Sequence, residues 1–200
     1  MPEMHAVRLH RAISWLKCAE QQNDNPDMQF VSLWIAFNAC YAINLGKETF
    51  PSEKESFNDF IKKLVLHDKE QRFFNLLWHQ FSVNVRQLIE NQFLFKSYWD
   101  FHRNEITDWK RSFMKSVANG MTFLSNKDVP KLLIVVLDRL YMLRNQIMHG
   151  GATFESSANR SQLQSSCNIL KLFIPLMIDI MIDNKEEEWG DIYYPLIVMP

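Results

Sequence analysis

Glycine is scarce in this chain, with five residues in 200. Few glycines mean few tight turns, which argues against a β-sandwich and against a nucleotide-binding α/β fold. Neither GxGxxG nor GxxxxGK(S/T) occurs, so the usual phosphate-cradling loops are missing. Cysteine is sparse as well. Cys18, Cys40 and Cys167 are isolated and odd in number, so they offer neither a disulfide framework nor a CxxC metal site. There is no excess of basic charge, with 22 Lys+Arg against 23 Asp+Glu. That argues against a protein that coats nucleic acid non-specifically, although a local patch can still steer an RNA or DNA substrate. The opening MPEMHAVRLHRAISW lacks the apolar stretch of a signal peptide. The longest apolar stretches look too interrupted to span a bilayer, with Asp179 and Asp183 breaking the last one. A soluble cytoplasmic chain without membrane contact is the expectation.

What is abundant is apolar bulk, 47% of the residues, with aromatics at 13%. A chain of this length buries a sizeable core without disulfides. The pattern predicts one all-α domain over 1–200, elaborated or interrupted by an insertion at about 68–125. The first helix is expected over about Met4–Gln22, closed by the turn NDNPD. The second starts near Met28, aligns Phe30, Trp34, Phe37 and Tyr41, and stops at Gly46. Ser52 and Glu55 form a capping box for a third helix through Leu66. Phe73, Leu77, Phe81, Val85 and Leu88 can share a helical face, the pattern blurs over Asn91–Asn104, and another helix covers Asp108–Leu124. Lys127–Pro130 opens a long helix that ends at Gly150-Gly151. Asn159 and Gln162 make a second capping box for a last helix with Leu163, Cys167, Leu170, Ile174, Met177 and Met181 on one face and Pro175 inside it. The tail WGDIYYPLIVMP reads as an extended arm laid on the core or on a partner.

The long helix ends in RNQIMHG, Arg144–Gly150. At about 100° per residue, Leu133, Val136, Leu140, Tyr141, Leu143, Ile147 and Met148 fall in one apolar arc with Arg144 in its middle. Asp138, Asn145 and His149 fall together on the other side. An arginine inside an apolar stripe either faces a cleft or an interface, or lays its stem over apolar neighbours with its head in water. Geometry leaves these two readings level. His149 lies one turn after Asn145, so the two side chains can touch. In an ideal helix Arg144 and His149 are about 140° apart, and a last turn distorted by the double glycine could bring them toward one groove. On spacing alone the plainer reading, a histidine satisfying helix-end carbonyls, is the stronger one.

Arg144, Asn145 and His149 match an R-N-x-x-x-H motif, and the chain here resembles the HEPN-domain family. The motif lies near the end of the penultimate core helix, and LWIAFNACY, Leu33–Tyr41, looks like the second helix of the Apea-like and abortive-infection-like branches. The resemblance covers both ends of the chain and is weakest over Asp68–Ser125. It implies an antiparallel helical bundle of HEPN type with extra central helices and an extended C-terminal arm. It also implies metal-independent cleavage of RNA through the 2′-hydroxyl, at a composite site with one motif from each subunit of a homodimer, needing no cofactor. Arg144 would then contact the scissile phosphate, His149 would transfer protons and Asn145 would orient His149 or bind phosphate. The role implied is that of a toxin or phage-defence effector with an antitoxin or an activating partner.

Other candidates are weaker. Trp109, Lys110, Arg111 and Lys115 could form an RNA patch with an aromatic for stacking, though a solvated helix face is the plainer reading. Arg160, at the start of the last helix, is the better second phosphate contact. His5 and His10 have no carboxylate at ligand spacing, so a metal site is not expected. The rival to an enzyme is a non-catalytic helical module binding a nucleotide, an RNA or a protein.

Overall fold

The computed structural model describes residues 2–41 and 53–194, and among these every regular element is a helix. In chain order the α-helices are α1 Glu3–Glu20, α2 Pro26–Tyr41, α3 Glu53–Leu66, α4 Arg72–Asn75, α5 Ser82–Glu90, α6 Lys96–His102, α7 Lys110–Ser125, α8 Val129–Met148 and α9 Arg160–Asp183. The expected all-α class is what forms. The chain makes two compact units, Met1–Glu70 with Leu170–Pro200, and Gln71–Ile169. Helix α9 begins in the second and ends in the first.

In the first unit α1 and α2 form a helical hairpin. The turn between them is shorter than NDNPD suggests, because Pro26 already sits at the first position of α2. Proline is favoured there, since its missing N–H would lack a helical partner anyway. Asn25 caps the helix, its Oδ1 accepting from the Met28 amide at 3.1 Å. Gln29, fully buried, donates to the Ala19 carbonyl and to Asn23 Oδ1, stitching the turn to both helices. Phe30, Trp34 and Phe37 are buried as the spacing predicts, and Phe37 meets Phe57 and Phe173 edge-on or tilted. The expected stop at Gly46 and the Ser52 cap lie outside the described residues.

As far as it is described, the C-terminal arm is fastened to the first unit by rings and carbonyl contacts. Trp189 is buried against Phe60, His5 and His67. The buried Arg8 donates to the carbonyls of Trp189 and Gly190 at 2.6 and 2.7 Å. Arg11 holds the Tyr194 carbonyl, and Lys63 and His67 bind Glu187.

In the second unit α5, α7 and α8 pack together. Gly120 on α7 allows close approach to α5, since a Cβ there would stand 2.9 Å from Ile89 Cγ2. The row Phe73, Leu77, Phe81, Val85, Leu88 is not one uninterrupted helix. From Phe73 to Val85 its spacing of four outruns the α-helical period of 3.6, and a π-helical turn, Leu76–Gln80, absorbs the difference. Phe81, at the break, is the one member of the row left only half-buried among otherwise buried neighbours.

Helix α9 corrects one expectation. It is long and apolar enough, by length and composition, to cross a membrane. In the fold its predicted face, Leu163 to Met181, is buried within protein, while Asp179 and Asp183 face out. The capping box also fails, because Asn159 Oδ1 is buried without a hydrogen bond and Gln162 Oε1 accepts from Ser161 instead.

Candidate functional site

Helix α8 carries its own punctuation. Asp128 caps its start, accepting from the Lys131 amide through Oδ1 and from Lys131 Nζ through Oδ2. Its end is a Schellman cap. Gly150 takes a left-handed φ of 68°, its amide donates to the Ile147 carbonyl, and the Gly151 amide donates to the Gln146 carbonyl at 2.7 Å. His149 is the last residue before this reversal, and its own amide still makes the regular bond to the Asn145 carbonyl at 3.0 Å. The double glycine therefore ends the helix cleanly and does not distort the turn before it. Arg144 and His149 stay on different faces, about 140° apart by helical geometry.

The buried stripe of α8 runs through Leu132, Leu133, Val136, Leu137, Arg139, Leu140 and Leu143. It is rotated by roughly 40° from the arc the sequence suggests. Tyr141 and Met148, which that arc includes, are exposed. Arg144 consequently lies at the edge of the stripe and not in its middle, half-buried, between packed leucines and an exposed apolar margin.

Arg144 Nη1 donates to Asn145 Oδ1 at 2.9 Å. Its Nε is buried and donates to nothing. No carboxylate neutralises it among the described residues, so the guanidinium keeps its charge beside a neutral acceptor. Asn145 thus engages Arg144, and no bond links it to His149. The His149 ring is exposed and makes no hydrogen bond among the described residues. Chemically the helix end offers one under-satisfied cation, suited to a phosphate oxygen, and one free imidazole, suited to moving a proton.

The other candidates lie on other helices. Arg160 opens α9, partly buried, after the connection 149–159. Lys110 and Arg111 are exposed on the first turn of α7 and bond to none of the three. Trp109 does not offer a stacking face, since it is buried against Tyr98 and Phe113. His5 bonds to the Met181 carbonyl, and among the described residues no three His, Cys, Asp or Glu side chains gather as metal ligands.

One residue escaped the sequence reading. Arg139 is buried, with its guanidinium 4.9 Å above the Phe95 ring and Nη2 donating to the Ile89 carbonyl and Ser116 Oγ. Burial pushes its pKa down to about 10, only partly offset by the nearby Asp138 charge. Spacing carries a signal for it. Arg139 lies three positions after Val136 and four before Leu143, both buried, and residues so spaced are neighbours on one helix face.

Comparison with protein-family models, with curated proteins and with solved structures gives no match for this chain.

Proposed function

We propose that this chain is a metal-independent endoribonuclease of HEPN type. The observation that carries the reading is the Arg144 guanidinium, whose side-chain partner is the neutral Asn145, with the free His149 imidazole at the same helix end. In this reading the 2′-hydroxyl attacks the adjacent phosphorus. The new P–O2′ bond forms as the P–O5′ bond breaks, leaving a 2′,3′-cyclic phosphate and a 5′-hydroxyl. One neutral imidazole takes the 2′ proton, one protonated imidazole gives a proton to the leaving oxygen, and Arg144 offsets the charge on the phosphoryl oxygens. Two imidazoles are needed and one chain supplies one. Because Arg144 and His149 diverge on a single helix and two imidazoles are required, a homodimer that brings both copies' Arg144 and His149 into one site on its two-fold axis fits the chemistry. Such an enzyme would act in the cytoplasm as a toxin or phage-defence effector, restrained by an antitoxin or released by an activating partner.

The same divergence is the observation behind a second reading, a helical module that binds RNA, a nucleotide or a protein without cutting. Incubating labelled RNA with purified protein in EDTA separates the two. Cleavage that disappears with His149→Ala, with Arg144→Ala and with a 2′-deoxy substrate is the expected result. Binding without cleavage favours the module, and cleavage that survives His149→Ala removes His149 from the mechanism.

A further inference from the structure

The second unit carries a continuous run of aromatic contacts that begins under α8 and ends at the surface. Phe95 lies beneath the Arg139 guanidinium and meets Phe113 at 5.4 Å. Phe113 meets Trp109, and Trp109 meets Tyr98 edge-on at 5.0 Å. Tyr98 then touches Phe93 at 5.3 Å and His102 at 4.4 Å, and Phe101 stands against His102. The inner members are buried or half-buried, but Phe93 is 46% exposed and Phe101 37%, with His102 exposed beside it. These outer rings are supported from below, so they are held in place and do not swing freely.

The platform is fastened to the candidate site. The Phe93 carbonyl accepts from Trp99 Nε1 at 2.8 Å and from Gln146 Nε2 at 2.6 Å. Gln146 lies between Asn145 and Ile147 on α8, three residues before His149, and residues so spaced are neighbours on a helix surface. The charges nearby are partly paired, while Asp108 Oδ1 accepts only the Lys110 amide. Asp100 and Glu105 are occupied by Lys96 and Arg103. Lys110, Arg111 and Lys115, which follow Trp109 on α7, are exposed and form no ion pair among the described residues.

We propose that Phe93 and Phe101, with His102, form a base-stacking platform for single-stranded RNA, whose phosphates are taken by Lys110, Arg111 and Lys115 of α7. The inference rests on the ribonuclease reading and gives that site its substrate class, unpaired RNA. Exposed rings take any base by its face, and unpaired cations on the same unit track the backbone. A duplex hides its base faces, so it cannot use the rings. A protein partner is the competing occupant, but the exposed, unpaired cations of α7, the helix that follows the rings in sequence, match a polyanion better than an apolar interface, where lysine is depleted.

The test measures binding by the His149→Ala protein, which separates binding from cleavage, using a labelled oligoadenylate of about twelve nucleotides, within the site sizes known for single-strand binders, its 2′-deoxy counterpart and an RNA duplex. Phe93→Ala/Phe101→Ala leaves the Phe93 carbonyl in place for Gln146, and circular dichroism checks its fold. The expected result is that both single strands bind more tightly than the duplex. The double variant should lose roughly tenfold or more on single strands, as removal of stacked bases implies. Lys110→Glu/Arg111→Glu should weaken binding and flatten its salt dependence. Equal binding by the folded double variant, a preference for duplex, or absence of RNA binding overturns the platform. Loss of self-association in the double variant, without change in RNA binding, assigns the rings to a second copy and overturns it too. Single strands that bind through the rings but are left uncut by the wild type sink the cleavage reading and leave the platform standing.

Discussion

Arg144 is held by its own sequence neighbour: Nη1 donates to Asn145 Oδ1 at 2.9 Å. The pairing matters because the acceptor is neutral. A carboxylate there would aim the guanidinium equally well and also cancel the charge a phosphate needs. Asparagine can orient the arginine while leaving its electrostatic pull intact.

Asn145→Asp tests this division of labour. The substitution turns a neutral bond into a half-exposed ion pair, worth about 0–1 kcal/mol in stability. Thermal unfolding should therefore move little. RNA cleavage should fall by about 100-fold, the scale expected when a group that stabilises transition-state charge is compromised. Asn145→Ala, which frees the arginine without neutralising it, should lose less. Wild-type kcat/KM in Asn145→Asp would mean that the charge of Arg144 plays no part in the reaction.

Gly150 ends α8 one residue after His149. Its φ of 68° is a conformation that costs an L-residue roughly 1–2 kcal/mol. Nothing lies within 4 Å of a Cβ built there, so the cost is one of backbone and not of crowding. Gly150→Ala should lower stability by about 1 kcal/mol in urea titration, and Gly150→Asn should recover most of it because asparagine tolerates this region. If alanine and asparagine behave alike, the left-handed cap is not what the glycine provides.

The two ends of α8 are legible in the sequence because their signals are local. Asp128, Pro130 and Gly150 act within a turn of themselves, and each does what its chemistry suggests. The rotation of the helix is not legible in the same way. Tyr141 and Met148 are apolar, so a periodicity count draws them into the core, yet whether they are covered depends on α5 and α7, far away in sequence. The same cause hides Arg139, whose burial comes from Phe95 and Ser116 across the unit. Trp109 misleads in the opposite sense. It sits among basic residues in the sequence but turns inward, and the exposed rings are Phe93 and Phe101. A spacing of four permits Asn145 to touch His149, but the adjacent Arg144 is long enough to fold back and take its side chain.

Arg139 is a buried cation whose donors reach a carbonyl, a hydroxyl and a ring face. Burial of an arginine costs free energy that these contacts offset only in part. Arg139→Met, similar in length and apolar, should therefore change stability by no more than about 1–2 kcal/mol in either direction. Arg139→Ala leaves a cavity beside Phe95 and should cost about 2–4 kcal/mol. Denaturant midpoints distinguish the two. If Met is as damaging as Ala, the bonds to Ile89 and Ser116 outweigh desolvation.

The clasp around Trp189 makes the first unit sensitive to acid. Burial draws the His5 imidazole below its usual 6.5, against the raising effect of its bond to the Met181 carbonyl, and the Arg8 charge lowers it further. The unfolded chain therefore binds a proton on His5 before the folded one does. Stability is full above 6.5 and is lost as pH falls through the folded pKa. Glu187 adds a second step lower down. Its bonds from Lys63 and His67 hold it below the usual 4.5, so its contribution is present above that value and lost as pH drops through its folded pKa. Melting temperature measured from neutral pH downward should thus begin to fall near pH 6.5 and steepen below 4.5. His5→Phe keeps a ring against Trp189 and removes the titrating group, so the upper part of the slope should flatten while the lower part persists. An unchanged profile in His5→Phe would place the upper part of the sensitivity on a group other than His5.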